Sequence, residues 1–244
     1  MNTRLKTSCN TCYNRIYVWF ESYVKEVNKL ILLRLVIFVL GLIALSLGIS
    51  TTIQVQHLGL HPWDVLVVGL YDNIGLSIGS WSIIIGIILT TISLILDRSY
   101  VRFGTFVNLV VVGLFVDFFL WLDFLPKATN TWIDIIVLVC GIFIMGIGGG
   151  LYNSVGLGAG PRDGFMLSIS DKTGYSIRTV RITTETFVLV IGLLIGGPVF
   201  IFSFIFTFIQ SPVFQFSYER LTNLLERIEI KLSHKEESAM SGSD

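Results

Sequence analysis

Two stretches of this chain, residues 135–161 and 186–218, contain no Asp, Glu, Lys or Arg. Each exceeds the roughly 18 apolar residues that suffice to cross a bilayer core, and further apolar runs precede them. Charged residues make up only 14% of the 244, hydrophobic residues 53%, and the mean hydropathy is +0.77. A soluble domain carries about 25% charged residues. An ordinary soluble enzyme, a disordered chain and a secreted disulfide scaffold are thereby excluded. The composition predicts an all-α, polytopic membrane protein.

Seventeen basic residues balance seventeen acidic ones, so net charge gives no reason to expect a nucleic-acid partner. Cys9 and Cys12 form a lone C-x-x-C and Cys140 stands apart. A structural zinc site needs about four ligands, so the pair reads as chance spacing, and neither metal nor cofactor is expected. The first strongly apolar run begins near Leu30, without the short apolar core and small-residue cleavage site of a signal peptide.

The hydrophobic pattern predicts six spans, at about 33–54, 78–96, 103–123, 132–152, 177–196 and 198–217. Trp81, Trp121, Trp132 and Tyr218 fall near span ends, where aromatic rings favour the interface. Residues 13–30 repeat large apolar side chains at helical spacing and read as an amphipathic helix, on the membrane surface or on the protein's own loops. A second such pattern covers 221–232, with a disordered polar tail expected after Ser233. The organisation expected is a cytoplasmic segment at 1–32, one membrane repeat at 33–125, another at 126–217 and a cytoplasmic tail at 218–244. With the N-terminus inside and six crossings, sixteen Lys and Arg fall inside and only Lys127 outside. That bias places both termini in the cytoplasm.

Residues 58–79 read LGLHPWDVLVVGLYDNIGLSIG, and 99 positions later residues 157–178 read LGAGPRDGFMLSISDKTGYSIR. Gly59, Pro62, Asp64, Asp72, Gly75 and Ser77 match Gly158, Pro161, Asp163, Asp171, Gly174 and Ser176 without a gap. In each half one predicted span precedes the motif and two follow it. Three crossings per unit is an odd number, so the second unit enters the membrane from the opposite side. This predicts an inverted repeat, an architecture common among transporters, although architecture alone does not fix function.

The motif reads as a turn into a helix. Gly59 and Gly158 permit unusual backbone angles. Pro62 and Pro161 suit the first helical position, and Asp64 and Asp163 then fall in the first turn, beside the positive helix end. The helices expected at about 62–72 and 161–171 are half a bilayer long and either re-enter the membrane or lie on its surface. In the first case Asp64 and Asp163 would help line a central site for a cation, a proton or a cationic substrate group. In the second they are helix caps. Polar groups within spans are costly and become functional candidates by default. They are Asp117, with Arg181 or Arg178 as its expected partner or protonation as its other escape, and Arg181 with Glu185, spaced to pair on one helix face. Arg162 adds a cation to the second motif. Asn108, Asn153, Gln54, Gln210 and Gln215 are candidates for hydrogen bonds between helices. Gly146, Gly148, Gly149 and Gly150 mark close helix packing or an unwound segment. His57 and His61 are expected on the outer face, with His61 an exchangeable loop residue because it aligns with Gly160. No hydrolase, metalloprotease or nucleotide-binding pattern is present.

LGLHPWDVL, FGTFVNLVVVGLFVDF, LGAGPRDGFMLSIS, the Arg178-x-x-Arg181-x-x-x-Glu185 spacing and GGPVF resemble the bacterial YczE-like integral membrane proteins, relatives of the YitT group, over about residues 33–217. The Phe-rich last span departs from the smaller residues that the family pattern leads one to expect. The resemblance implies a multi-pass protein of the cytoplasmic membrane and supplies no agreed substrate. The expected function is a small secondary transporter or permease-like protein acting on an ion or small molecule. The alternative is a non-transporting accessory protein whose amphipathic segments dock a cytoplasmic partner. A lipid bilayer is the expected partner in both, a homo-oligomer is compatible with either, and no enzymatic activity is expected.

Overall fold

The computed structural model describes the backbone of residues 29–122 and 124–241, with side chains as far as residue 231. Cys9, Cys12 and nearly all of the amphipathic pattern at 13–30 lie outside the described residues. The described residues are mostly helical, with no strand among them. The helices are α1 (Lys29–Gln54), then α2 (Pro62–Ile74), α3 (Ile78–Leu96), α4 (Phe103–Trp121), α5 (Ile133–Ser154), α6 (Pro161–Thr173), α7 (Ile177–Leu194) and α8 (Ile201–Ser241). Short 3-10 turns occupy Gln56–Leu58 and Arg98–Tyr100. The order long, short, long, long therefore occurs twice.

Among the described residues, α1, α3, α4 and α5 are long and apolar enough to cross a membrane. The predicted fifth span, α7, has 18 residues and carries Arg178, Arg181 and Glu185 among them. The predicted sixth span and the amphipathic segment at 221–232 are one unbroken helix, α8, which continues to Ser241 where the sequence suggests an unstructured tail. Large apolar side chains cover the outer surface: Ile95 is 79% exposed, Phe103 80% and Leu194 81%. In water such a surface would be untenable, whereas in lipid tails it is the favoured one.

The chain divides into two compact units. In the smaller, Arg34 in the first turns of α1 bonds Glu229 in the far part of α8. The larger, residues 38–222, holds everything that follows. Its core gathers Ile49, Val65, Val68, Leu138, Met145 and Phe206.

Lipid tails are as apolar as leucine, so close backbone approach and interhelical hydrogen bonds must hold the helices together. The sequence supplies both. A Cβ on Gly41 would lie 3.0 Å from the Gly148 carbonyl, and one on Gly48 would lie 2.8 Å from that of Gly141. The pairing of 41 with 148 and 48 with 141 makes α1 and α5 antiparallel. Ser46 and Ser50 of α1 donate to the carbonyls of Val112 and Val116 on α4, at 3.4 and 3.3 Å. A hundred residues on, Gly146 and Gly150 of α5 face the carbonyls of Gln210 and Phe214 on α8 in the same way. The glycine run at 146–150 is thus a packing face inside a continuous helix and not an unwound segment.

The short helices sit across these contacts and exchange partners. α2 packs on α7, and α6 packs on α3. Gly59 (φ 116°) approaches Ser203 at the start of α8, whose Oγ accepts the Leu60 amide at 3.1 Å. Gly158 (φ 145°) approaches Thr105 at the start of α4, whose Oγ1 donates to the Ala159 carbonyl at 2.7 Å. These positive φ angles explain the two motif glycines, since a side chain would be strained there and would meet the neighbouring helix. Each short helix has 13 residues, two more than expected, and ends on a glycine with positive φ, Gly75 or Gly174. Ser77 and Ser176 then cap α3 and α7 by accepting the amides of Ser80 and Thr179.

Candidate functional site

Proline at the first position of α2 and of α6 starts each helix where the chain leaves its glycine turn. That start is deep inside the protein: Pro62, Trp63, Asp64 and Val65 are buried, whereas residues 71–76 at the other end of α2 are exposed. α6 likewise begins at the buried Pro161 and ends in exposed residues 171–176. The first turns of both helices reach a single cavity of about 130 Å³.

Two ion pairs close one side of this site. Arg162 Nη2 donates to Asp64 Oδ1 at 2.8 Å, so the first turn of α6 is tied to the first turn of α2. Arg181 on α7 reaches Asp163 Oδ1 at 3.4 Å. The other oxygen of Asp163 accepts the Tyr152 hydroxyl at 2.8 Å and the Asn153 amide at 3.4 Å. Both aspartates stand in the first turn of their helix, beside its positive end, and each also holds an arginine from another segment. Glu185, a turn further along α7, is buried without an arginine. Its Oε2 accepts the Thr207 hydroxyl at 2.7 Å, and its Oε1 lies 3.7 Å from His61 Nε2. The i, i+4 pairing of Arg181 with Glu185 expected from the sequence gives way to these partners, because both side chains turn into the cavity.

His61 corrects the sequence reading most. It is a buried wall of the cavity, packed edge-on against Phe206 at 5.4 Å between ring centres, and not an exchangeable outer loop residue. Its position directly before Pro62 was the signal: whatever precedes the proline of a buried helix start must itself be buried. His57, by contrast, lies away from the cavity, 3.2 Å from Asp134 at the start of α5.

Asp117 is not part of the site. It accepts the Ser77 hydroxyl and, at 2.7 Å, the Gly79 amide, so it caps α3 from the neighbouring α4. The expected partners Arg178 and Arg181 are not its partners, and the positive N-terminal end of α3 compensates this half-buried carboxylate within the apolar α4. Asn108 and Gln210 do line the cavity.

Several buried polar atoms at the cavity wall have no hydrogen-bond partner among the described residues. They are Trp63 Nε1, Asn108 Nδ2, Arg181 Nε and His61 Nδ1. Asp64 Oδ2 is a fifth such atom, beside them on α2. Buried polar groups are nearly always satisfied, and leaving one unpaired costs about 1–3 kcal/mol. Orphans concentrated at one cavity mark a place built for something other than stability.

The fold and the cavity define a helical membrane protein in which one helix order is used twice around a buried, charged chamber. Residues 32–219 match the family of unknown function DUF6198, and the chain belongs to that family. It is 36% identical over 196 residues to the uncharacterized membrane protein YczE of Bacillus subtilis, covering 80% of this chain and 90% of that one. It is 34% identical over 164 residues to the uncharacterized protein YyaS of the same organism, covering 66% and 80%. An uncharacterized protein of Haemophilus influenzae is 30% identical over 218 residues, covering 88% and 93%. No solved structure matches the chain. The YczE-like resemblance and several apolar helices together make this a multi-pass membrane protein.

Proposed function

We propose that this protein is a small secondary transporter of the bacterial cytoplasmic membrane, with α1, α3, α4, α5, α7 and the first part of α8 as six spans and both termini cytoplasmic. The two halves are an inverted repeat related by a pseudo-two-fold axis in the membrane plane, and α2 and α6 are re-entrant half-helices from opposite faces. The observation that carries the reading is the convergence of both half-helix starts on one chamber lined by Trp63, Arg162, Asp163, Arg181 and Glu185, with Asp64 held against it through Arg162. Transporters built from inverted repeats place substrate where discontinuous helices meet near the midplane, and alternate access around it. The antiparallel α1–α5 crossing and the exchanged α2–α7 and α3–α6 contacts support the same reading, as does the asymmetry of Lys and Arg. The function is binding and passage of a small solute, not chemistry on it.

The test is thiol labelling from each side of the membrane after replacing Cys9, Cys12 and Cys140. Asp72→Cys, at the exposed end of α2, should label from outside, and Lys172→Cys, at the exposed end of α6, only from the cytoplasm. Ser82→Cys and Ser211→Cys, in the cavity wall, should each label slowly from either side. If the two helix ends label from the same side, the repeat is not inverted. If the ends behave as expected but the cavity positions label from one side alone, access does not alternate. The accessory reading then takes over, with the single long α8 reaching beyond the larger unit as its docking element.

A further inference from the structure

The unpartnered atoms at the cavity are not an even mixture. The four in its wall are all nitrogens, on Trp63, Asn108, Arg181 and His61, while the one unpartnered carboxylate oxygen nearby belongs to Asp64, which does not line the cavity. Trp63 Nε1, Asn108 Nδ2 and Arg181 Nε can only donate. What they lack is an acceptor.

The start of α6 lacks one too. Its N-cap residue has no side chain to accept an amide, and the first-turn carboxylate, Asp163, is taken up by Tyr152, Asn153 and Arg181, although the amides of a first helical turn have no partner within the helix and create a positive end. Its N-cap is Gly160, where a Cβ would lie 2.6 Å from the Tyr152 hydroxyl and 3.5 Å from Asn108 Nδ2. The glycine lets the Tyr152 hydroxyl and the Asn108 amide come close to the helix start. Asn108, only 6% exposed, therefore holds an unused amide donor beside an uncapped helix start, within a cavity that also carries Arg162 and Arg181. The two motif aspartates are each paired with an arginine, which offsets their charge, and the unpartnered Asp64 Oδ2 lies outside the cavity wall.

We propose that the α6 N-terminus and Asn108 bind the carboxylate of a small organic acid, with Trp63 Nε1 and Arg181 Nε as further donors. A volume of about 130 Å³ limits the ligand to a handful of heavy atoms. Both a simple carboxylate and a small amino acid fit this chemistry. In the second case the ammonium group faces Glu185, the cavity carboxylate without an arginine. The inference rests on the transporter reading for its meaning as a substrate site, while the binding itself does not require transport.

The experiment is a thermal melt of the full-length protein in detergent at constant ionic strength, with sodium acetate, glycine, methylammonium chloride or sodium chloride added. Acetate or glycine should raise Tm by a few degrees at saturation, and methylammonium and chloride should not. Acetate alone identifies a simple acid, and glycine alone a zwitterion. Asn108→Leu removes the donor at similar volume and should abolish the shift while the ligand-free protein still melts cooperatively. If that variant does not fold, Trp63→Phe, which keeps a ring and loses one N–H, should weaken the response several-fold. A shift with methylammonium only, no shift with any probe, or an undiminished acetate or glycine shift in both variants overturns the proposal. A carboxylate shift with cavity cysteines labelled from one side leaves a binding site in a protein that does not transport. Two-sided labelling with no carboxylate shift removes this inference and leaves the transporter reading intact.

Discussion

The Arg162 guanidinium lies 5.8 Å from the centre of the Trp63 ring, and these two residues hold the same position in the two motif helices. Each is the residue after the helix-opening proline. Two equivalent positions can touch only where the halves of the chain meet, so this contact marks the centre of the arrangement. One further residue along, Asp64 and Asp163 are again equivalent, yet Arg162 pairs with Asp64 while Arg181 pairs with Asp163. The two motif helices share their length and opening proline and differ in charge.

The Arg162–Asp64 pair gives the first prediction. The Asp64 side chain is 3% exposed and that of Arg162 27%. Arg162→Met strands a buried carboxylate and should cost about 3 kcal/mol of stability. Asp64→Asn leaves the more exposed partner and should cost less. The double variant should recover part of the first loss, with a coupling of roughly 1–3 kcal/mol. Unfolding curves of the four proteins in one detergent test it, and strict additivity would show that the pair is not coupled.

Glycines in α5 and α6 should answer differently to alanine. A Cβ on Gly148 would meet the Leu45 amide nitrogen at 2.3 Å and the Gly41 carbonyl at 2.8 Å, both backbone atoms that cannot step aside. Gly148→Ala must push α1 from α5, and we expect poor yield and a Tm lower by many degrees. A Cβ on Gly164 would meet nothing nearer than 3.7 Å, and Gly164→Ala should be neutral or stabilising by about 0.5–1 kcal/mol through helix propensity. Comparable melts for both variants would contradict the close crossing of α1 and α5.

Much of this arrangement was legible in the residues. The motif repeat, with its glycines, prolines and capping serines, placed α2 and α6 and their boundaries to within two or three residues, because each landmark has a local cause in φ or in a helix terminus. The partners of charged groups were not legible. Asp117 and Arg181 lie on helices that periodicity describes one at a time, and nothing local reveals that α3 presents its N-terminus to Asp117 or that α6 presents Asp163 to Arg181. His61 was missed because alignment of the halves compared it with Gly160. The two halves part there, one placing a side chain in the cavity and the other leaving room for one. The continuity of α8 was hidden by Pro212 and by the change from apolar to charged residues, neither of which breaks the helix.

Outside the spans, Tyr100 donates its hydroxyl to Asp171, linking the turn before α4 to the last turns of α6. That bond, with a smaller contribution from desolvation, raises the phenol above its ordinary value of 10.0. A group whose pKa is raised by folding stabilises the fold fully below its unfolded pKa and loses that contribution as pH climbs through the folded value. The stability gap between wild type and Tyr100→Phe should therefore be constant from neutral pH to about pH 9 and close only in more alkaline solution. A gap that closes already at neutral pH would show that the bond is not made.

Asp117 supplies the last prediction, since the sequence alone makes it a candidate for ligand binding and the structure makes it a cap. Its two oxygens take the Ser77 hydroxyl and the Gly79 amide at the start of α3, and Ser77 in turn accepts the Ser80 amide at 3.0 Å. Removing a charged cap of this kind should cost about 1–2 kcal/mol. Asp117→Ala and Ser77→Ala should each lower stability by that order, and the double variant by less than their sum, because both dismantle one cap. Neither should alter the Tm shift produced by acetate or glycine, since Asp117 is absent from the cavity wall. Loss of that shift in Asp117→Ala, with the protein still folded, would return this residue to the ligand site. An unchanged shift with lowered stability would confine it to holding α3 against α4.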